Sequence, residues 1–191
     1  MNRTFRDSAV VLMVAWLIAS IPLFTGCKKA QPPQPSSSAQ TTKGSDGQTA
    51  QPSVQEEARL KLREGIEHTK AGEPDKAVRE FTEALRKYPN YADAYIGRAG
   101  AFALQKKFNE AGEDLKKALE ISPDNPIVHY NFAALYSLQN QSDRALESLD
   151  RALDLGFKDY AFLLKDPDLN NVRAHKDFIK ILQKHKVPIP K

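Results

Sequence analysis

From Ala58 onward the chain repeats itself every 34 residues. Ala77, Ala111 and Ala145 stand in step, as do Ala84, Ala118 and Ala152. Phe81, Leu115 and Leu149 keep the same period, and so do Gly65, Ala99 and Ala133. Pro89 and Pro123 close the first two units, and Phe157 takes that place in the third. A fixed period of this length means an array of small supersecondary units, each leaving an apolar face that only its neighbour can cover. Small residues at the eighth, twentieth and twenty-seventh places let helix backbones approach. Large residues fill the remaining gaps: Tyr95, Phe102 and Leu115 in the second unit, Phe132, Tyr136 and Leu149 in the third.

This pattern resembles the tetratricopeptide repeat, a pair of antiparallel helices per unit. The resemblance covers 58–91, 92–125 and 126–159. It implies an all-α fold, a right-handed superhelix of about three helix-turn-helix repeats spanning 55–159. Asn90 and Asn125 read as N-caps, Pro126 and Pro74 as helix starts, and Gly156 as a C-terminal left-handed residue. Lys61 and Glu64 stand where the family prefers Trp and Leu, which fits the outer side of a first helix with no neighbour. Arg98 replaces a Leu and is expected to pack its stem while its head stays wet. After Gly156 the pattern changes. Tyr160-Ala-Phe-Leu-Leu-Lys-Asp-Pro-Asp-Leu, Asn-Asn-Val-Arg and Phe178-Ile-Lys-Ile-Leu182 are similar to the closing segment of many bacterial repeat proteins. Residues 160–191 are therefore expected to form C-terminal capping helices and a tail, with Phe178, Ile179, Ile181 and Leu182 as an apolar stripe.

The first 26 residues differ in kind. Arg3 and Arg6 precede an apolar run from Ala9 to Phe24, shorter than the roughly 20 residues a spanning helix needs. A basic start, a short apolar run and small residues read as a secretory signal. Leu23-Phe-Thr-Gly-Cys27 resembles the lipobox of bacterial lipoproteins. The resemblance implies a signal peptide over 1–26, cleavage between Gly26 and Cys27, and acylation (palmitate or a similar chain) of Cys27. A buried free thiol and a retained membrane anchor with an incidental cysteine are the alternatives. Residues 27–54 follow as a linker. Its part from 28 to 54 holds four prolines, five serines and no aromatic residue. It is too polar to offset the entropy of ordering, and a flexible chain of that length reaches about 30 Å. Lys28, in place of the Asp that marks inner-membrane retention, implies the outer membrane, facing the periplasm, if the source is Gram-negative.

Chemistry is sparse. One cysteine excludes a disulfide framework and a Cys-rich zinc site. A net charge of +4, from 28 basic and 24 acidic residues, describes an ordinary surface and gives no nucleic-acid footprint. No P-loop, GxSxG or HExxH occurs, and no histidine has a second ligand at i+4. The sequence therefore points to no enzyme, no catalytic residue, no metal and no cofactor. His68 reads as a satisfied, partly buried residue, and His175 and His185 as solvent-facing.

In the resembled family the first helix of each unit lines a concave groove. The places facing it hold Arg59, Leu62, Ile66, Thr69 and Lys70 in unit one, Asp93, Ile96, Gly100, Ala103 and Leu104 in unit two, and Ile127, Tyr130, Ala134, Ser137 and Leu138 in unit three. The Lys and Asn that grip a peptide carboxylate in chaperone-binding members are missing. The expected peptide-binding floor is apolar: Leu62, Ile66, Ile96, Leu104, Ile127, Tyr130 and Leu138. Filling of the groove in cis, by the closing helix or the tether, is the competing arrangement. The expected role is a membrane-anchored scaffold or adaptor for a protein or peptide partner in the cell envelope. Pilus secretin assembly, outer-membrane protein insertion and peptidoglycan-hydrolase regulation are the kinds of job the resemblance implies. A homo-oligomeric structural lipoprotein, or an accessory subunit of an envelope enzyme, is the alternative.

Overall fold

The computed structural model describes residues 53–189, and within them every regular element is helical. Cys27, Gly26, the apolar run and the Pro/Ser-rich stretch lie outside the described residues. Six helices form three pairs: α1 (Val54–Lys70) with α2 (Pro74–Lys87), α3 (Ala92–Leu104) with α4 (Phe108–Ile121), and α5 (Pro126–Leu138) with α6 (Ser142–Asp154). A closing segment follows: α7 (Tyr160–Lys165), a 3-10 turn (Pro167–Leu169), α8 (Asn170–Arg173) and α9 (Phe178–Lys184). Among the described residues, no helix is long and apolar enough to cross a membrane.

Helix starts follow local chemistry. Ser53 caps α1 by accepting the Glu56 amide at 3.2 Å, so the helix begins at Val54, the last residue assigned to the linker. Asn125 caps α5 by accepting the Ile127 amide at 2.9 Å, and Pro126 and Pro74 sit at first positions. The expected cap at Asn90 is corrected: the residue preceding α3 is Tyr91, and it makes no side-chain cap. Both Asp93 in the first turn and the Tyr91 carbonyl, which accepts from Ala94 at 3.0 Å, serve that end.

The turn inside each pair repeats as strictly as the sequence. Gly72, Lys106 and Asn140, each 34 residues apart, all adopt left-handed backbone (φ 72°, 60° and 59°). In each the residue after the turn donates back across it: Glu73 to the His68 carbonyl (2.9 Å), Lys107 to Phe102 (2.9 Å) and Gln141 to Tyr136 (2.8 Å). This is the six-to-one hydrogen bond of a Schellman end, which satisfies orphan carbonyls of the first helix and reverses the chain. Gly156 (φ 92°) ends α6 in the same way, with Phe157 donating to Ala152 at 3.0 Å.

The core runs along the stack in three clusters. The first joins Leu62, Ile66, Ala77, Phe81, Ala84 and Leu85. The second joins Ile96, Ala99, Leu115, Val128 and Leu135. The third joins Tyr130, Leu149, Phe157, Leu163, Leu169, Phe178 and Leu182, so the closing segment is continuous with unit three. The expected stripe on the last helix is corrected at one place. Phe178 and Leu182 are buried and Ile181 is partly buried, but Ile179 is 44% exposed. At 3.6 residues per turn a seven-residue helix buries only the 178/182 edge and its flank.

The polar departures are each satisfied. Lys61 reaches Glu64 at 2.6 Å and Glu80 at 2.8 Å, and those bonds hold its ammonium well above the usual lysine range. Arg98 does more than snorkel. Its Nε and Nη2 bind both oxygens of Asp114 at 2.7 and 2.8 Å, and Nη1 donates to Thr82 at 3.0 Å. This bidentate pair, with the Asp114 side chain 8% exposed, ties α2, α3 and α4 together.

Candidate functional site

The first helices α1, α3 and α5 form the inner wall of the array. Four of the seven residues expected on its accessible floor belong to the core. Leu62 and Ile66 are buried against the Phe81 cluster, Ile96 in the second cluster and Tyr130 in the third. Adjacent first helices pack side by side, α1 on α3 and α3 on α5. The fifth-place side chain therefore falls into the seam between them instead of the hollow. Leu104, Ile127 and Leu138 remain partly exposed.

Tyr130 is covered in cis. Its ring stacks on Phe157 at 4.4 Å and 13° and tilts against Phe162 at 5.8 Å. Its hydroxyl donates to Asp166 Oδ2 at 2.5 Å, while Asp166 Oδ1 accepts the Asp168 amide at 2.8 Å. Burial, then the nearby Asp168 charge, pushes the Asp166 carboxyl up to about 7. At this end of the array the self-filled arrangement is the one observed.

The hollow is open between α3 and α5, with α4 beneath. Ala99, Gly100, Ala103, Asn131, Ala134 and Leu138 line a shallow depression that is continuous with solvent. The hollow exists because the residues along both helices are small: Gly100 and Ala103 face Ala134 across it. Asn131 is its polar member. Its Nδ2 donates to the Ile127 carbonyl at 2.8 Å, and its carboxamide oxygen accepts no hydrogen bond among the described residues. Asp93, on the same helix face as Gly100, has no hydrogen bond or ion pair among the described residues, and burial pushes its carboxyl above the usual range. Asp93, Gly100, Ala103, Ala134 and Leu138 all hold groove-facing places in the sequence pattern. Asn131 stands outside those places, and in the sequence it counts only as a single carboxamide, too little to restore a carboxylate clamp.

The histidines divide. His68 Nδ1 meets Glu73 Oε2 at 2.7 Å across the turn of unit one, a satisfied, partly buried residue as expected. The solvent-facing reading of His185 is corrected: its side chain is 12% exposed, with Nε2 2.7 Å from Asp150 Oδ1. His175 is 26% exposed.

Comparison with known proteins decides the family. Two tetratricopeptide repeat models match, over residues 62–126 and 102–165, and together they span more than half of the chain. The chain belongs to the tetratricopeptide repeat family. Arrays of this family are protein-interaction scaffolds. Among curated proteins, a chloroplastic protein of Arabidopsis thaliana is 34% identical over 85 residues, covering 43% of this chain and 25% of that protein. The human mitochondrial import receptor subunit TOM70 is 31% identical over 88 residues, 45% of this chain and 14% of the receptor. The chain thus spans a quarter or less of these two proteins' length. Among solved structures, the Arabidopsis OM64 TPR domain superposes with a TM-score of 0.53 at 23% identity, covering 61% of this chain and 97% of that domain. The TPR2B domain of yeast Sti1 in complex with pHsp70 superposes with a TM-score of 0.50 at 27% identity, covering 68% and 96%.

Proposed function

We propose that this protein is a lipid-anchored adaptor of the bacterial cell envelope. Cys27 follows a signal cleaved after Gly26 and holds the repeat domain at the outer membrane, and the hollow between α3 and α5 holds a protein or peptide partner. The observation that carries the binding role is the open depression at Gly100, Ala103, Ala134 and Leu138, the part of the inner wall that the closing segment leaves uncovered. Support for a peptide ligand comes from the Sti1 TPR2B domain, whose structure is a complex with pHsp70. The chemistry here differs from a carboxylate grip. Leu62 and Ile66 are buried apolar residues, and Ile127 offers no charge. The hollow suits a small apolar side chain of an extended or helical segment. The free Asn131 oxygen would take a backbone N–H, and the unpaired Asp93 a cation.

Aspartate at Leu62 or Tyr130 would break the core, so the hollow is tested at its partly exposed members. A photo-crosslinking residue at Leu138, introduced in cells into the full chain, is expected to capture a defined envelope protein. The same residue at exposed Glu113 on α4 is expected not to, and Ala103→Asp is expected to abolish the Leu138 adduct. Equal capture from both positions, or an adduct indifferent to Ala103→Asp in a folded protein, would overturn the assignment. For the anchor, Cys27→Ala is expected to move the protein from the membrane to the soluble fraction; unchanged membrane association removes the lipid-anchor reading.

A further inference from the structure

On the outer side of the last repeat, α6 presents two carboxylates one turn apart, Asp150 and Asp154, to the C-terminal end of α9. His185 ends α9 and turns its Nε2 onto them, 2.7 Å from Asp150 Oδ1 and 3.8 Å from Asp154 Oδ1. The three ligand atoms lie within 4.8 Å of one another. The histidine is held in place by its own turn. Lys186 is left-handed (φ 52°), Val187 donates to the Leu182 carbonyl at 2.9 Å, and Val187 and Leu182 are both buried. This is a Schellman end with its apolar contact, and it fixes the imidazole's position relative to α6. With the His185 side chain only 12% exposed, the ring has little freedom to leave.

The fold already directs positive charge to this point. Lys184 Nζ stands 2.7 Å from both oxygens of Asp150 and 3.7 Å from Asp154 Oδ1. Lys184, His185 and the two carboxylates form one cluster, but the members differ in how firmly they are held. Lys184 is 52% exposed on a flexible four-carbon stem, whereas His185 is packed. An incoming ion would meet a fixed imidazole and two carboxylates, and a lysine free to swing into solvent.

We propose that Asp150, Asp154 and His185 form a three-ligand site for a divalent transition metal of the zinc class, in which the ion takes the place of the Lys184 ammonium and staples α9 to α6. One imidazole with two carboxylates suits zinc, cobalt or nickel, and a nitrogen ligand disfavours calcium and magnesium. Metal–nitrogen and metal–oxygen bonds of about 2.0–2.2 Å place tetrahedral ligands about 3.4 Å apart. The separations of His185 from the two carboxylates, 2.7 and 3.8 Å, bracket that value, and all three atoms already lie within 4.8 Å of one another. A water would complete the shell. The consequence is local: the ion would fasten the closing segment, which covers Tyr130 and the end of the groove.

The test uses the full chain in detergent, with Cys27→Ser in every arm because a free thiol also binds zinc. Zinc sulfate is titrated against a chromophoric chelator, and thermal unfolding is followed with zinc and with EDTA. The expected result is one zinc per chain and a higher melting midpoint with zinc than with EDTA. His185→Gln, which can keep a hydrogen bond to Asp150, and Asp154→Asn are expected to abolish the shift while melting as the parent does in EDTA. Lys184→Met, which removes the competing cation, is expected to tighten binding on the order of tenfold. Should His185→Gln fold poorly, cobalt absorption in the Asp154→Asn chain decides in its place: a tetrahedral visible band in the parent and none in the variant is expected. No zinc-dependent shift in the parent overturns the proposal, even if Lys184→Met binds. So does a shift of the same size in His185→Gln and Asp154→Asn, which would place the ion elsewhere.

Discussion

The ring of Phe81 fills the space in which a Cβ on Gly97 would stand, 2.6 Å from two of its ring carbons. Gly65 faces the same ring from the other helix, where a Cβ would come within 2.7 Å. A Phe at the place that holds Leu115 and Leu149 in the other units is thus accommodated by two glycines, one on α1 and one on α3. Gly97→Ala is expected to destabilise the domain by about 1–3 kcal/mol, since a fully buried ring has nowhere to move. Phe81→Leu combined with Gly97→Ala is expected to cost less than the sum of the two changes. Urea unfolding of the two single variants and the double variant measures the coupling.

The left-handed turn position is filled by Gly72, Lys106 and Asn140 in successive units. A lysine there holds a backbone conformation that costs L-residues roughly 1 kcal/mol, and a glycine adopts it without strain. Lys106→Gly is expected to stabilise by up to about 0.5 kcal/mol after the glycine's extra unfolded-state entropy is set against the relief. Gly72→Ala is expected to destabilise by a similar amount. Both are read from denaturant midpoints at constant slope.

Arg98 and Asp114 share two hydrogen bonds across the α3–α4 seam. Asp114→Ala leaves a partly buried guanidinium with Thr82 and the faces of Tyr95 and Phe102 but no carboxylate, and is expected to cost about 2–3 kcal/mol. Arg98→Leu, which restores the residue the repeat pattern prefers, strands Asp114 instead. Arg98→Leu with Asp114→Ala is expected to recover most of the loss, which a double-mutant cycle by thermal unfolding would show.

Asp166 couples the closing segment to pH. Burial raises its folded-state value to about 7, against about 3.9 in an unfolded chain. Between those two values the folded protein keeps the proton and the unfolded chain releases it, so stability falls as pH rises from about 4 to about 7 and is flat above. The contribution is on the order of 4 kcal/mol. Asp166→Asn mimics the protonated acid. The stability of the parent minus that of the variant is expected to decline over this window and level off by about pH 8. A pH-independent difference would show that Asp166 titrates normally.

Much of the fold was legible in the sequence because a repeat states its contacts several times. The helix pairs, the small-residue places and the caps at Asn125, Pro74 and Pro126 follow from period and local chemistry. The closing segment was legible as a segment, but not the face its last helix turns inward, since Ile179 and Ile181 look alike in the sequence and only one is packed. Ala103 and Ala134 line the hollow from groove-facing places in the repeat, whereas Leu62, Ile96 and Tyr130 hold such places and are packed away. Facing the inner wall and being accessible on it are different properties. The seam between adjacent helices takes the large side chains, and the small ones leave the hollow.

By itself the sequence determined the 34-residue unit, its helical pairs and the order of caps and turns, because these depend on contacts within a unit or with the next one along. Only the tertiary structure decided the rest. It put Tyr130 under Phe157, Phe162 and Asp166, joined Arg98 to Asp114, and brought His185 to Asp150 and Asp154. Tyr130 lies 36 residues from Asp166 and Asp150 lies 35 from His185. In each of these pairs one partner, Asp166 or His185, lies in the closing segment outside the repeat, so no period announces the pair and only packing of that segment on unit three creates it.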